Sequence, residues 1–332
     1  MRRVVLVCAT IALAALAVGV IARSPSAQTT SPEACRSGGG SISATALPET
    51  VELEDCPIVG RVITDNGVGT VLPGPGRGVY VEALTTESAQ ELEVTRYRDG
   101  TVELEHVGDE AEDVQASSSI APAARRPDEC RDAAYNDGNW RVAPGSGLSY
   151  EFNRSTTPPE LSPAAAEGAI NAGGRNITGT RNNCRLADRV RAGLTYLGNT
   201  NSAAGRNTCD SDGSSVVSFG SLPGGTLART CYWFTLNPSG YDKVTESDIG
   251  INKANFNWTT NPRPRSCRNK YDLQSVMTHE WGHAFGLGHV SQSRHGSLTM
   301  SPFINECQKS KRTLGKGDVL GLNWKYQRSN RG

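Results

Sequence analysis

Neither sign of charge dominates this sequence. Its 34 Lys and Arg residues offset 34 Asp and Glu, so the formal net charge is zero. Without a basic excess, the electrostatic footprint of a nucleic-acid or anionic-membrane partner is missing. No two cysteines stand in the Cys-x-x-Cys spacing of a zinc knuckle, which argues against structural zinc on sulfur. Beyond the first two dozen residues no segment is apolar enough to span a bilayer, and no internal repeat is visible. Histidine and methionine are scarce, at 5 and 3. The chain has 332 residues, 37% of them hydrophobic, and 36 glycines. That length suits two folded units with linkers, loop-rich and without long disorder.

The N-terminus is distinctive. Arg2 and Arg3 precede an apolar run from Val4 to Ala22, interrupted by Thr10 and Gly19, with small residues near Ala22 and Ala27. This is the pattern of a secretory signal peptide over residues 1–27, with a retained signal anchor as the alternative. Of 9 cysteines, Cys8 lies inside the run and would leave with it. Cys35, Cys56, Cys130, Cys184, Cys209, Cys231, Cys267 and Cys307 remain, an even set that suits disulfides in an oxidising, extracellular compartment. Eight cysteines allow about 105 pairings, so spacing alone leaves connectivity open. Pairing each with its neighbour in sequence keeps every bridge within one unit. After signal removal no membrane association is expected, and nothing bears on oligomeric state.

Composition then divides the chain. Residues 28–50 are rich in Ser, Thr, Gly and Pro and read as a flexible lead-in. Residues 51–107 alternate β-branched and polar residues around the turn dipeptides Asn66-Gly67 and Asp99-Gly100, a small β-rich unit. A two-residue hairpin is expected at Asp99-Gly100. Residues 108–128 run acidic, then Ala/Ser/Pro-rich, then dibasic at Arg125-Arg126, as an exposed linker does. The second unit, 129–332, alternates strand patterns with a helix over Pro163 to Asn171 capped by Ser162, a helix from about Asp272, and a closing helix from Lys316 to Tyr326.

The helix from Asp272 carries the chemistry. In "DLQSVMTHEWGHAFGLGH", His279 and His283 stand four residues apart, about one turn, so both imidazoles share a face. One tetrahedral zinc can take both, and Glu280 beside it can accept a proton from a bound water. Gly286 can adopt positive φ and end the helix sharply, letting the chain return with His289 as third ligand. A fourth position is left for water, as catalysis needs. A bare His-Glu-x-x-His is only moderately specific; the extension to His-Glu-x-x-His-x-x-Gly-x-x-His is far more so.

The stretch His279 to His289 resembles the metzincin signature. Met300 in "SLTMSP" sits where that family has a methionine turn beneath the zinc. With Met300-x-Pro302, "TLARTC", "SDIGIN" and the closing "LGKGDVLGLNWKY", the chain is most similar to the matrixin group over about Cys130 to Gln327. The resemblance implies an α/β (α+β) catalytic domain with a twisted, mostly parallel sheet and an active-site helix, here preceded by the β-rich N-terminal unit. It implies a secreted zinc endopeptidase acting on protein or peptide substrate, bound extended along an edge strand over Leu227 to Phe234. Three departures stand out. Val290 follows the third histidine, the segment Ser291 to Ser297 lengthens the path to Met300, and only His106 and His295 remain outside the motif. Too few histidines are left for a second, structural zinc, so one is expected. Asp210 to Gly213 is a candidate calcium loop, though a short Asp/Gly turn is more often only a turn. Asp318 is a candidate acceptor for the methionine-turn backbone. His295 reads as a loop residue. Cys130 completes the even set, so a disulfide is expected there rather than a metal cap.

The rival functions are a catalytically silent zinc-binding recognition protein, against which the intact Glu280 speaks, and a binding role centred on the β-rich unit. That unit is either a removable pro-segment or an accessory domain.

Overall fold

The computed structural model describes residues 33–36, 39–87, 89–106, 127–204, 208–263 and 267–327. The expected signal peptide and residues 108–126 of the expected linker lie outside them. Period-two alternation, which sends successive side chains to opposite faces, organises the chain around one sheet. From the N-terminal side come β1 (Ser41–Ser43), β2 (Thr50–Glu52), β3 (Val62–Asp65), β4 (Val68–Val71), β5 (Arg77–Thr85), β6 (Ala89–Arg96) and β7 (Thr101–Glu105). After residue 127 follow β8 (Asn136–Asp137), β9 (Trp140–Arg141), β10 (Gly147–Phe152), a backing helix Pro163–Thr178, β11 (Gly193–Asn199), β12 (Val216–Gly220), β13 (Thr226–Thr235) and β14 (Asp242–Asn252). The helix Leu273–Ala284, which carries His279, Glu280 and His283, and the closing helix Lys316–Gln327 complete the frame.

The main sheet runs β11-β10-β12-β14-β13-β5-β6-β7-β2, with β9 beside β14. Strands β10, β11, β12 and β14 are parallel, as expected of a matrixin-like domain, and β13 returns antiparallel. The sheet does not stop there. Strand β5 pairs antiparallel along β13 from Thr226↔Thr85 to Thr235↔Arg77, and β6, β7 and β2 follow. The whole is therefore a mixed sheet, continued by four of the N-terminal strands, while β1, β3 and β4 form a small sheet of their own.

Alternation in β5 gives each face its own core. Tyr80 and Leu84 join the core under the helices, with Trp281, Met300 and Tyr326. Val79, Val81 and Ala83 face the other way, into a second core with Leu92, Val94, Cys231 and Trp233. Residues 39–50, for which composition suggested a loose lead-in, are folded: β1 pairs β3, and Ile42, Ala44 and Leu47 are buried in that second core. Three apolar side chains among polar ones are enough to dock such a segment, which composition averages away.

At Asn66-Gly67 a true two-residue turn joins β3 to β4, with φ of 41° and 91°. The Asp99-Gly100 turn is longer than expected. Residues 97–100 separate β6 from β7, closed by Tyr97 N to Thr101 O at 2.8 Å, with Asp99 accepting from Thr101 N. The backing helix starts as expected, Ser162 Oγ accepting from Ala165 N at 3.2 Å, but continues past Asn171 to Thr178. The extension is held by tertiary contact. A Cβ on Gly173 would meet Met277 at 2.8 Å, so only glycine lets the two helices touch backbone to backbone. Asn176 then donates to Thr278 Oγ1 at 3.2 Å.

The cysteines pair as Cys35–Cys56, Cys130–Cys184, Cys209–Cys231 and Cys267–Cys307, with Cα separations of 4.9, 5.1, 5.9 and 5.6 Å. None of these bonds joins the N-terminal strands to the rest of the chain.

Candidate metal centre

The helix Leu273–Ala284 is anchored before it begins. Asp272 caps it by accepting from Ser275 N at 3.1 Å, and Arg312 holds the same carboxylate at 2.6 and 2.7 Å. Leu273, Val276, Met277 and Ala284 sink into the core. At the other end Gly286 has φ 96°, and its N–H closes on His283 O at 2.8 Å. A Cβ there would collide with Trp140 O and the Lys325 side chain, so the reversal is both conformationally and sterically reserved for glycine. The chain then returns with His289.

Three imidazoles converge. The Nε2 atoms of His279, His283 and His289 lie 3.0, 3.1 and 3.1 Å apart. Three nitrogens on one tetrahedral zinc, with bonds of about 2.0–2.1 Å, sit roughly 3.3 Å apart. The opposite ring nitrogens are committed: His279 Nδ1 donates to Thr299 O at 2.8 Å and His283 Nδ1 to Leu287 O at 2.9 Å. That fixes the tautomer and turns bare Nε2 lone pairs towards one point. Burial, then the neighbouring imidazoles, holds both His279 and His283 well below the usual histidine range, so they stay neutral. Buried lone pairs aimed at each other are repulsive without a cation between them, and the donor set fits zinc.

Glu280 lies beside this cluster, fully buried, and takes a hydrogen bond from Thr230 Oγ1 at 2.5 Å. Burial pushes its carboxyl up to about 7 against that bond. The roof over the helix is a row of three side chains on adjacent strands, because Thr230 pairs with Glu82 and Glu82 with Glu91. Glu82 is buried against Glu280, and burial and that neighbouring charge hold its carboxyl well above the usual range. Its Oε1 is 3.7 Å from His289 Nε2, while Glu91 contacts His289 Nδ1. Among the described residues, Glu82, His279, His283 and His289 form the one cluster able to hold a metal, with ligand atoms within 4.8 Å of one another.

Below the histidines lies the methionine turn. Val290 N donates to Met300 O at 3.1 Å, tying the His289 loop to it. The Met300 sulfur fills the space that a side chain at Gly282 would need. Asp318 accepts from Thr299 N at 2.9 Å, Met300 N at 3.2 Å and Gly315 N at 2.8 Å, the role the sequence offered for it. Pro302, two residues after Met300, is half-buried where the turn leaves.

Other sequence candidates sit elsewhere. His295 pairs with Asp132 at 3.0 Å, and His106 with Asp65 at 3.0 Å. The Asp210 to Gly213 loop wraps Glu246, which accepts from Ser211 Oγ, Asp212 N and Gly213 N at 2.6, 3.0 and 3.1 Å. It presents donors to its centre, not the ring of oxygens a calcium ion takes. Leu227 to Phe234 is not an open edge here, since β14 and β5 pair both its sides. Sequence reasoning missed Glu82, Glu91 and Thr230. The available signal was Glu82 between Tyr80 and Leu84: period two puts a carboxylate on the face of a strand that is otherwise apolar.

The matrixin peptidase family model matches residues 223–327, which run from the turn before β13 through the closing helix and include all three histidines, Glu280 and Met300. No curated protein matches the chain.

Proposed function

We propose that this chain, whose residues 223–327 carry the matrixin peptidase pattern, is a secreted zinc-dependent endopeptidase made with an N-terminal restraint. The observation that carries the reading is the convergence of three Nε2 atoms 3.0–3.1 Å apart beside a buried carboxylate. His279, His283 and His289 would hold one zinc. When bound, zinc supplies a Lewis acid for the scissile carbonyl and acidifies water. Glu280, steadied by Thr230, takes the proton of the attacking water as its oxygen bonds to the carbonyl carbon. It returns that proton to the departing amine as the C–N bond breaks. The substrate strand would run along β13, where main-chain pairing recognises an extended peptide. Export is supported by four disulfides; among the described residues no helix is long and apolar enough to cross a membrane.

The test uses protein recovered from culture medium after processing. It is expected to hydrolyse casein, to lose activity to a chelator, and to regain it with about one equivalent of zinc per chain. Intact folded protein that takes up no zinc would sink the reading.

A further inference from the structure

Glu82 is the side chain the reading above leaves unexplained. It is fully buried, and neither carboxylate oxygen has a hydrogen-bond donor. A buried carboxylate that receives no donor is costly, so such a group is bound to a cation or keeps its proton against a neighbour, here Glu280. The Glu82 ligand atom groups with those of the three histidines, all within 4.8 Å of one another. Its strand is fixed on both sides, by β13 and by β6, so the placement is set by register rather than by a mobile loop. The next strand adds a second hold, for Glu91 contacts the other ring nitrogen of the same histidine, His289.

We propose that Glu82 is the fourth ligand of the metal in the uncut chain, its carboxylate taking the place of water while β5 occupies the ladder on β13 that a substrate strand would use. The inference rests on the zinc-site reading and adds the state of that site: closed and latent. One cut would end latency, because Cys35–Cys56 lies on the N-terminal side and the other three disulfides lie from residue 130 onward. The alternative for a buried Glu82 is a neutral carboxyl sharing a proton with Glu280 and leaving the metal to water.

Cobalt(II) in place of zinc distinguishes the two. The full, uncut chain should take up one equivalent and give a visible spectrum that millimolar azide does not shift, since no position is open to it. Glu82→Gln keeps the size of the side chain and removes the charged donor. It should bind one equivalent, give a different spectrum that azide shifts, and release metal to a chelator at least about tenfold faster. Glu82→Ala should behave likewise, and circular dichroism checks that each variant is folded. A wild-type spectrum that azide shifts as readily as that of Glu82→Gln would overturn the proposal while leaving the zinc-site reading intact. Folded wild-type chain that binds no cobalt or zinc would overturn both.

Discussion

Thr230 donates to one oxygen of Glu280 across a gap between sheet and helix, at 2.5 Å, so this carboxylate is held by a strand and not by its own helix. Thr230→Val keeps the shape and removes the donor. A hydrogen bond to a charged group is worth about 1.5–3 kcal/mol, so kcat of the processed enzyme should fall roughly 10–100-fold with zinc content unchanged. Glu280→Ala should fall further, by about 10²–10⁴-fold, again with zinc retained, since in the proposed role the carboxylate moves a proton and does not ligate. Loss of zinc from Glu280→Ala would contradict that role. At this scale the site was readable where residues are close in sequence. His279, Glu280, His283, Gly286 and His289 fall within eleven positions, and helix geometry alone relates the first three. Thr230, Glu82 and Glu91 come together only through strand register, which no local spacing encodes.

Asp318 links two elements, accepting from three backbone N–H groups of the methionine turn and of the closing helix's own start. Asp318→Ala would leave three buried donors unmet, at about 1–3 kcal/mol each. Calorimetry of the variant should show a melting temperature lower by at least about 6 °C; a shift within about 1 °C would mean water replaces the carboxylate at no cost. The elements themselves followed their local signals closely at their starts, at Ser162 and Asp272, where caps act within one turn. Their ends were harder. The backing helix outruns its sequence pattern by seven residues because Gly173 and Asn176, poor helix formers alone, are spent on contact with Met277 and Thr278.

The molecule joins two stretches of chain through the β13–β5 ladder, with none of the four disulfides crossing between them. Composition separated those stretches and gave no hint of the ladder, because pairing partners lie some 150 residues apart and alternation says nothing about which strand is the neighbour. Cleavage between residues 107 and 126 should yield two pieces on a non-reducing gel and raise peptide turnover at least tenfold, in line with an opened site. Unchanged turnover would make the N-terminal strands an accessory part. Release of β5 also has a consequence beyond catalysis. Strand β13 would then be an edge, with every second of its ten residues showing an unpaired amide and carbonyl, and Cys231 and Trp233 newly wet on the reverse face. Such an edge is an aggregation hazard. The ripe enzyme should therefore be the less colloidally stable form, clumping as its concentration rises and kept in solution by the peptides it digests.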